Sequence, residues 1–260
     1  MSLTEQQAER YKRNIMLEEV GVAGQERLLA SRVLIIGTGG LGSAAALYLA
    51  ATGIGTIGLL DGDEVDVTNL QRQIAHHTND IGRRKVDSAA EKIRAINPDV
   101  TTRTYDTWAR ADNIRDIVKE YDFVIDAVDN FPAKFLINDA CFFERIPFSH
   151  AGILQFEGQL ITVLPGQTAC YRCVFSAPPP PETGSGRGPA GVLGVLPGVI
   201  GSLQATEAVK YLLGIGALLT DSLLTYSALD MEFRRVPMGR RSDCPLCSPH
   251  ASITQLQDEK

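Results

Sequence analysis

Four cysteines in two Cys-x-x-Cys pairs, Cys170/Cys173 and Cys244/Cys247, carry the strongest chemical signature in the chain. Each pair can offer two thiolates to one ion, and Zn²⁺ takes four such ligands in a tetrahedron, so the pairs point to an all-cysteine zinc site. With no position left for water, that zinc is structural, and the chemistry must lie elsewhere. Redox-active pairs normally sit at a helix start near a βαβ unit. Here Pro245 falls inside the second pair and Pro237 and Pro249 flank it, as in a zinc knuckle on a loop. Redox and disulfide pairing stand as the alternatives. A fifth, unpaired cysteine, Cys141, and an N-terminus without a signal-peptide pattern lead us to expect a reducing cytoplasm.

The second signature is a glycine-rich turn. Gly37, Gly39 and Gly42 fit Gly-x-Gly-x-x-Gly between an apolar run and a helical one, with Gly40 beside them. Such a turn lets backbone N–H groups approach phosphate at a helix N-terminus. Asp61 follows Gly42 by 19 residues, where a carboxylate can hold ribose hydroxyls. To this point a nicotinamide or flavin enzyme fits equally well.

Beyond Asp61 the chain departs from a redox enzyme. The run from Asp61 to Gln73 gathers Asp63, Asn69, Leu70, Gln71, Arg72 and Gln73, then Lys85 opens the next helix and Asp129-Asn130 ends a later strand. In an open α/β sheet these positions share the carboxyl edge of the strands, the ligand side. A triphosphate needs what they offer: cations for its phosphates in Arg72 and Lys85, and a carboxylate for Mg²⁺ in Asp129. Each residue alone has a plainer reading: Lys85 as a solvated helix start, Arg72 as a surface ion pair, Asp129 as the N-cap of the helix from Phe131. Their convergence on one edge argues for the site.

The elements that must position these groups alternate. A helical arm spans 1–31, with one helix expected over Thr4–Glu19 and a basic cluster at Arg10, Lys12 and Arg13. Strands are expected at Arg32–Ile36, Thr56–Leu60, Val100–Tyr105 and Asp122–Ala127, and helices at Leu41–Thr52, Arg84–Ile96 and Ala111–Glu120. After Pro147 the pattern changes to a hairpin, Phe148–Ile153 and Gly158–Leu164, then a proline- and glycine-rich loop at 178–191, a helix Val195–Leu213, and strands Leu223–Ala228 and Glu232–Val236. The fold class is α/β: a doubly wound, mostly parallel sheet continuing into antiparallel strands, with a structural zinc site. We read a single domain over 32–250, a nucleotide-binding half (32–147) and a partner and zinc half (148–250), then a tail at 251–260, with fraying expected from Ser248 to Lys260.

At 260 residues, 44% hydrophobic and 22% charged, the chain is an ordinary globular protein. A formal charge of −6 argues against bulk nucleic-acid binding. No apolar run reaches a membrane span; the longest, Gly191 to Ile215, is broken by Pro197 and carries Glu207 and Lys210.

With these motifs in this order, the chain resembles the adenylating, E1-like family of the bacterial molybdopterin-synthase and thiamine-biosynthesis activating enzymes (MoeB, ThiF, HesA). The resemblance rests on Arg10–Arg13, Gly37–Gly42, Asp61–Gln73, Lys85, Asp126–Asn130, Cys170–Cys173, Gly198–Gly201 before Leu203-Gln204, and Cys244–Cys247. It implies ATP- and Mg²⁺-dependent adenylation of the C-terminal Gly-Gly carboxylate of a small ubiquitin-like β-grasp sulfur carrier, with loss of pyrophosphate. It also implies a homodimer with one Zn²⁺ per subunit. The roles carried over are phosphate cradling by Gly40 and its turn, ribose contact by Asp61 and Asp63, and phosphate contact by Asn69, Arg72 and Lys85. Asp129 binds Mg²⁺ beside Asn130, and Arg13 reaches the partner subunit's site. Molybdopterin, thiamine, cysteine and tRNA-thiolation routes use similar enzymes, so the resemblance implies the class of carrier, not its pathway.

One departure matters. Some relatives carry a cysteine in the loop after the proline run, where a thioester or persulfide forms; here Pro181 to Pro189 contains none. Cys141, between aromatic neighbours on an expected core helix, reads as an inert buried thiol. The expectation is adenylation without thioester transfer, the adenylate passing to an external sulfur donor or amine. A nucleotide-binding scaffold without turnover and an NAD- or FAD-dependent oxidoreductase are the competing readings.

Overall fold

The computed structural model describes residues 2–175 and 191–258. All but the last residue of the loop expected at 178–191 lies outside them. The arm forms α1 (Glu5–Arg10), α2 (Lys12–Ile15) and α3 (Gly21–Ala30). The alternation continues as β1 (Arg32–Ile36), α4 (Gly40–Thr52), β2 (Thr56–Leu60), α5 (Lys85–Ile96), β3 (Thr101–Tyr105), α6 (Ile114–Val118), β4 (Phe123–Asp126), α7 (Phe131–Glu144) and β5 (Phe148–Leu154). Then come β6 (Glu157–Val163), α8 (Tyr171–Val174), α9 (Leu196–Leu213), β7 (Ser222–Ser227) and β8 (Glu232–Pro237).

One sheet of eight strands runs through both halves in the order β3-β2-β1-β4-β5-β6-β7-β8. It is parallel from β3 to β5 and antiparallel from β5 to β8. Because helices cover both faces, central strands are apolar throughout rather than alternating. Val33, Ile35, Ile57 and Ile125 enter the core shared with α4, α5 and α9. Leu34, Ile36, Leu60 and Val124 enter the opposite one, shared with α6, α7 and the four paired cysteines. Each such side chain contributes about 1.5–3 kcal/mol through burial.

Two departures from the sequence reading have local causes. The expected helix Thr4–Glu19 is two helices, broken at Tyr11, whose backbone leaves helical geometry (φ −98°, ψ 10°). Its ring is buried and its hydroxyl accepts from Asn97 Nδ2 at 2.7 Å, so a tertiary contact outweighs local helix propensity. The tail is docked, not frayed, through the last described residue, Asp258. Ile253 and Leu256 pack on the α6–α7 core, and the Asp258 carboxylate accepts from Ala111 N at 2.8 Å. Two apolar residues in a polar segment were enough to dock it.

Deleting residues 251–260 should therefore cost about 1–3 kcal/mol, a drop of about 3–10 °C in Tm by calorimetry. An unchanged Tm would show that the docked tail contributes nothing to stability.

Candidate functional site

The carboxyl ends of β1, β2 and β4 meet at the glycine turn. Gly37 leaves β1 at φ +92°, with its N–H on Leu60 O at 2.8 Å. A Cβ there would lie 2.8 Å from Ala127 O, and one at Gly42 only 1.9 Å from Gly37 O, so both positions require glycine. Gly39 is different: a Cβ would meet only Gln73 Nε2, at 3.6 Å. Helix α4 begins at Gly40 with no side-chain cap, leaving first-turn N–H groups for an anion.

Asp61 fixes this turn. Its Oδ2 accepts from Thr38 N at 2.8 Å and Thr38 Oγ1 at 3.0 Å, and its Oδ1 from Asp63 N at 2.9 Å. Of roughly four acceptor sites on a carboxylate, three are thus taken by the protein. His76, which the sequence reading did not single out, clamps the same turn. Its Nε2 lies 3.0 Å from Thr38 O, which can only accept, so Nε2 carries the hydrogen and Nδ1 accepts from Ser88 Oγ at 2.9 Å. Burial pushes this imidazole below its ordinary value, the Thr38 carbonyl pulls the other way, and the Lys85 cation adds to the lowering.

The run after Asp61 folds back over the turn. Asp66 caps the short turn Val67–Asn69, with Asn69 Oδ1 accepting from Asp66 N at 3.1 Å. That turn is followed by half-buried Leu70, exposed Gln71 and half-buried Arg72. The Arg72 chain passes Gly40, its Cγ 3.4 Å from where a Cβ would stand, and its Nη1 donates to Thr68 O at 3.1 Å. Gln73 is buried, and its Oε1 has no partner among the described residues. A buried acceptor without a donor, beside a turn lined with N–H groups, fits a site completed by a ligand. Lys85 is no solvated helix start: it is buried, and its Nζ donates to Asp63 Oδ2 at 2.7 Å.

Asp129 comes after β4 and is exposed, two residues past the Ala127 carbonyl that abuts Gly37. It does not cap α7. Asn130 does, its Oδ1 accepting from Ala133 N at 2.9 Å, so the plainer reading of Asp129 falls away. Behind it lies a buried cluster unseen in the sequence. His150 Nδ1–H donates to Asp126 Oδ2 at 2.6 Å, and Lys134 Nζ sits 3.8 Å from Asp126 Oδ1 while donating to Ala151 O at 2.6 Å. Burial, with Lys134 nearby, brings His150 down to about 4. Burial also holds Lys134 below its usual value, against the pull of Asp126 and Asp129.

Arg13 stands apart. Its neighbour Asn14 donates to Gln25 Oε1 and Thr52 O, at the C-terminal end of α4. The glycine turn is at the other end, about 18 Å away along a 13-residue helix. Exposed Arg13 is thus remote from the cluster at the glycine turn.

The four cysteines converge. Their Sγ atoms all lie within 4.8 Å of one another, with Cys170 3.8 Å from Cys173 and 3.7 Å from Cys244, and Cys173 3.3 Å from Cys247. All are buried and none is in a disulfide, which removes the disulfide alternative. Zn–S bonds of about 2.3 Å in a tetrahedron place sulfurs about 3.8 Å apart, so the cluster fits zinc. Burial pushes Cys170 up and Cys247 up to about 12. For Cys244 burial acts the same way, but N–H groups of Cys247 and Leu246 outweigh it and bring the thiol down. Cys141 is buried in α7, and burial pushes its thiol well up.

An open, largely apolar cleft adjoins Arg72, lined by Gln71, Ile74, Leu193, Gly194 and Val195. No helix of the described residues is long and apolar enough to cross a membrane.

The ThiF family model matches residues 11–246. The chain is 47% identical to a SAMP-activating enzyme E1 of Haloferax volcanii, covering 99% of this chain and 95% of that one. It is 41% identical to a sulfur carrier protein adenylyltransferase of Thermus thermophilus, covering 99% and 97%. Against the adenylyltransferase and sulfurtransferase MOCS3 of Culex quinquefasciatus it is 44% identical over 96% of this chain but only 57% of that protein. Among solved structures, Escherichia coli MccB with MccA-N7isoASN superposes with a TM-score of 0.81 at 23% identity, covering 92% of this chain and 74% of that one; this likeness is one of fold.

The purified protein should contain one Zn²⁺ per chain by atomic emission. Removing it with a chelator, or Cys244→Ser, should lower Tm sharply; a stoichiometry near zero with undiminished stability would contradict a structural zinc.

Proposed function

The chain belongs to the ThiF family, and from that premise we propose that it is an ATP-dependent adenylyltransferase acting on a small ubiquitin-like sulfur carrier. The observation that supports this reading is the glycine turn at an uncapped helix start, with Arg72 passing Gly40, Lys85 tied through Asp63 to Asp61, and a buried acceptor, Gln73 Oε1, without a partner among the described residues. The names of the relatives from Haloferax and Thermus agree with it.

In this reading the triphosphate lies on the Gly37–Gly42 turn, with Arg72, Lys85 and Asn69 at its phosphates and Asp63 and the remaining Asp61 lone pair at the ribose. Asp129, next to Asn130, would hold Mg²⁺, which supplies charge neutralisation on the phosphates. The carrier's C-terminal Gly-Gly enters along the cleft beside Leu193, Gly194 and Val195. A carboxylate oxygen forms a bond to the α-phosphorus, and the bond to the bridging oxygen breaks, its electron pair leaving with pyrophosphate. The nucleophile is already ionised at neutral pH, so the protein's contribution is alignment and charge stabilisation, without a base.

The loop expected to carry a cysteine in some relatives lies mostly outside the described residues, and its sequence offers no thiol. Cys141 is sealed in the core. The adenylate is accordingly handed to an external sulfur donor. Arg13 acts on the partner subunit of a homodimer, because its place at the far end of α4 keeps it from its own.

Two measurements test this. Carrier-stimulated exchange of labelled pyrophosphate into ATP should be readily detected and should fall by about a hundred-fold or more in Asp129→Ala with Tm unchanged. ATP binding without exchange, across a panel of Gly-Gly-ending carriers, would favour the scaffold reading. Mixing inactive Arg13→Ala and Asp129→Ala subunits should restore one working site per heterodimer. Confirmed subunit exchange without recovered activity would place Arg13 outside the site.

A further inference from the structure

The phosphates and ribose have protein partners in this site, but the purine has none so far. At the carboxyl end of β3, beside the end of β2, stands the chain's single tryptophan, Trp108. It is 49% exposed, so part of the ring is open to a ligand. Its indole lies against the backbone of Gly62, between the two carboxylate residues at the ribose position. A Cβ on Gly62 would come within 2.8 Å of both Cε2 and Nε1 and 3.0 Å of Cδ2, so only glycine admits the ring there.

The segment bearing the ring is held in place. Asn113 Nδ2 donates to Trp108 O at 2.9 Å while Asn113 Oδ1 accepts from Arg110 N at 2.9 Å. Asp61 N donates to Tyr105 O at 3.2 Å, tying the strand before it to the ribose carboxylate. A flat, half-exposed indole held against Gly62, the residue after Asp61, is a stacking surface at the carboxyl edge of the sheet.

We propose that Trp108 forms the base-binding wall of the nucleotide site, the purine packing on its exposed face. The inference rests on the nucleotide reading of the glycine turn and adds the residue that recognises the base. Every base has a π-face, so a stacking wall supplies affinity without choosing between adenine and guanine.

The tryptophan reports on itself. Its fluorescence should change on adding ATP or adenosine and stay constant with inorganic tripolyphosphate, which offers phosphates but no ring. By calorimetry Trp108→Ala should weaken ATP and GTP about ten- to a hundred-fold while leaving tripolyphosphate affinity unchanged. Trp108→Phe, with circular dichroism matching the parent, should retain most ATP affinity. ATP binding by calorimetry with unmoved fluorescence and an unaffected Trp108→Ala variant would overturn this proposal alone. Failure of the parent protein to bind ATP at all would overturn it together with the nucleotide reading.

Discussion

The Asp61 carboxylate ties together the parts on which the rest of this edge depends. It follows β2, yet most of its bonding capacity goes to Thr38 in the turn after β1 and to the backbone of Asp63. His76 reaches the same Thr38 from the far side of the Asp61–Lys85 excursion. Three segments distant in sequence are thereby fixed to one another before any ligand arrives. Hydrogen bonds to a charged group are worth about 1.5–3 kcal/mol each, but their larger effect is geometric. They hold the start of α4 and the Asp63–Lys85 pair in one arrangement.

The cysteine cluster is mechanically joined to this edge through α7. Tyr171 and Arg172 lie between the two cysteines of the first pair. Tyr171 N donates to Asn138 Oδ1 at 2.9 Å, and Arg172 makes a two-pronged contact with Asp139, both distances 2.7 Å. The Arg172 guanidinium also sits 4.7 Å over the Phe135 ring. A buried ion pair is a weak source of net stability, but breaking one costs about 3–5 kcal/mol, so it specifies how the two elements dock. The helix docked in this way is the one whose N-terminus presents Asn130 and Asp129. The cysteine cluster is thus tied, through Asn138 and Asp139, to the placement of that helix end.

The central strands were legible because a strand covered on both faces must be continuously apolar, and Val33 to Ile36 and Ile57 to Leu60 are. The glycines and the two cysteine pairs were legible because their chemistry depends on spacing along the chain. His76, Lys134 and His150 were not, since a lone histidine or lysine carries no local pattern; only topology brings His150 on β5 to Asp126 on β4. The break at Tyr11 was hidden for the same reason, being caused by Asn97 on a distant helix end. Asp61 shows the limit from the other side. Its position marked it as a ligand for ribose, but three of its lone pairs serve the protein, a partition that spacing cannot express.

That partition bears on what kind of chemistry the edge can support. His76 has both nitrogens engaged by Ser88 and Thr38 and is held toward its neutral form by burial. His150 is sealed beneath the sheet edge and brought down to about 4. Lys85 donates to Asp63. None of these groups is set to take a proton from a bound substrate. A reaction that needed a general base would have to draw it from a group other than these three. The reaction proposed for this edge, whose nucleophile arrives as a carboxylate, asks for cations, N–H groups and alignment and not for a base.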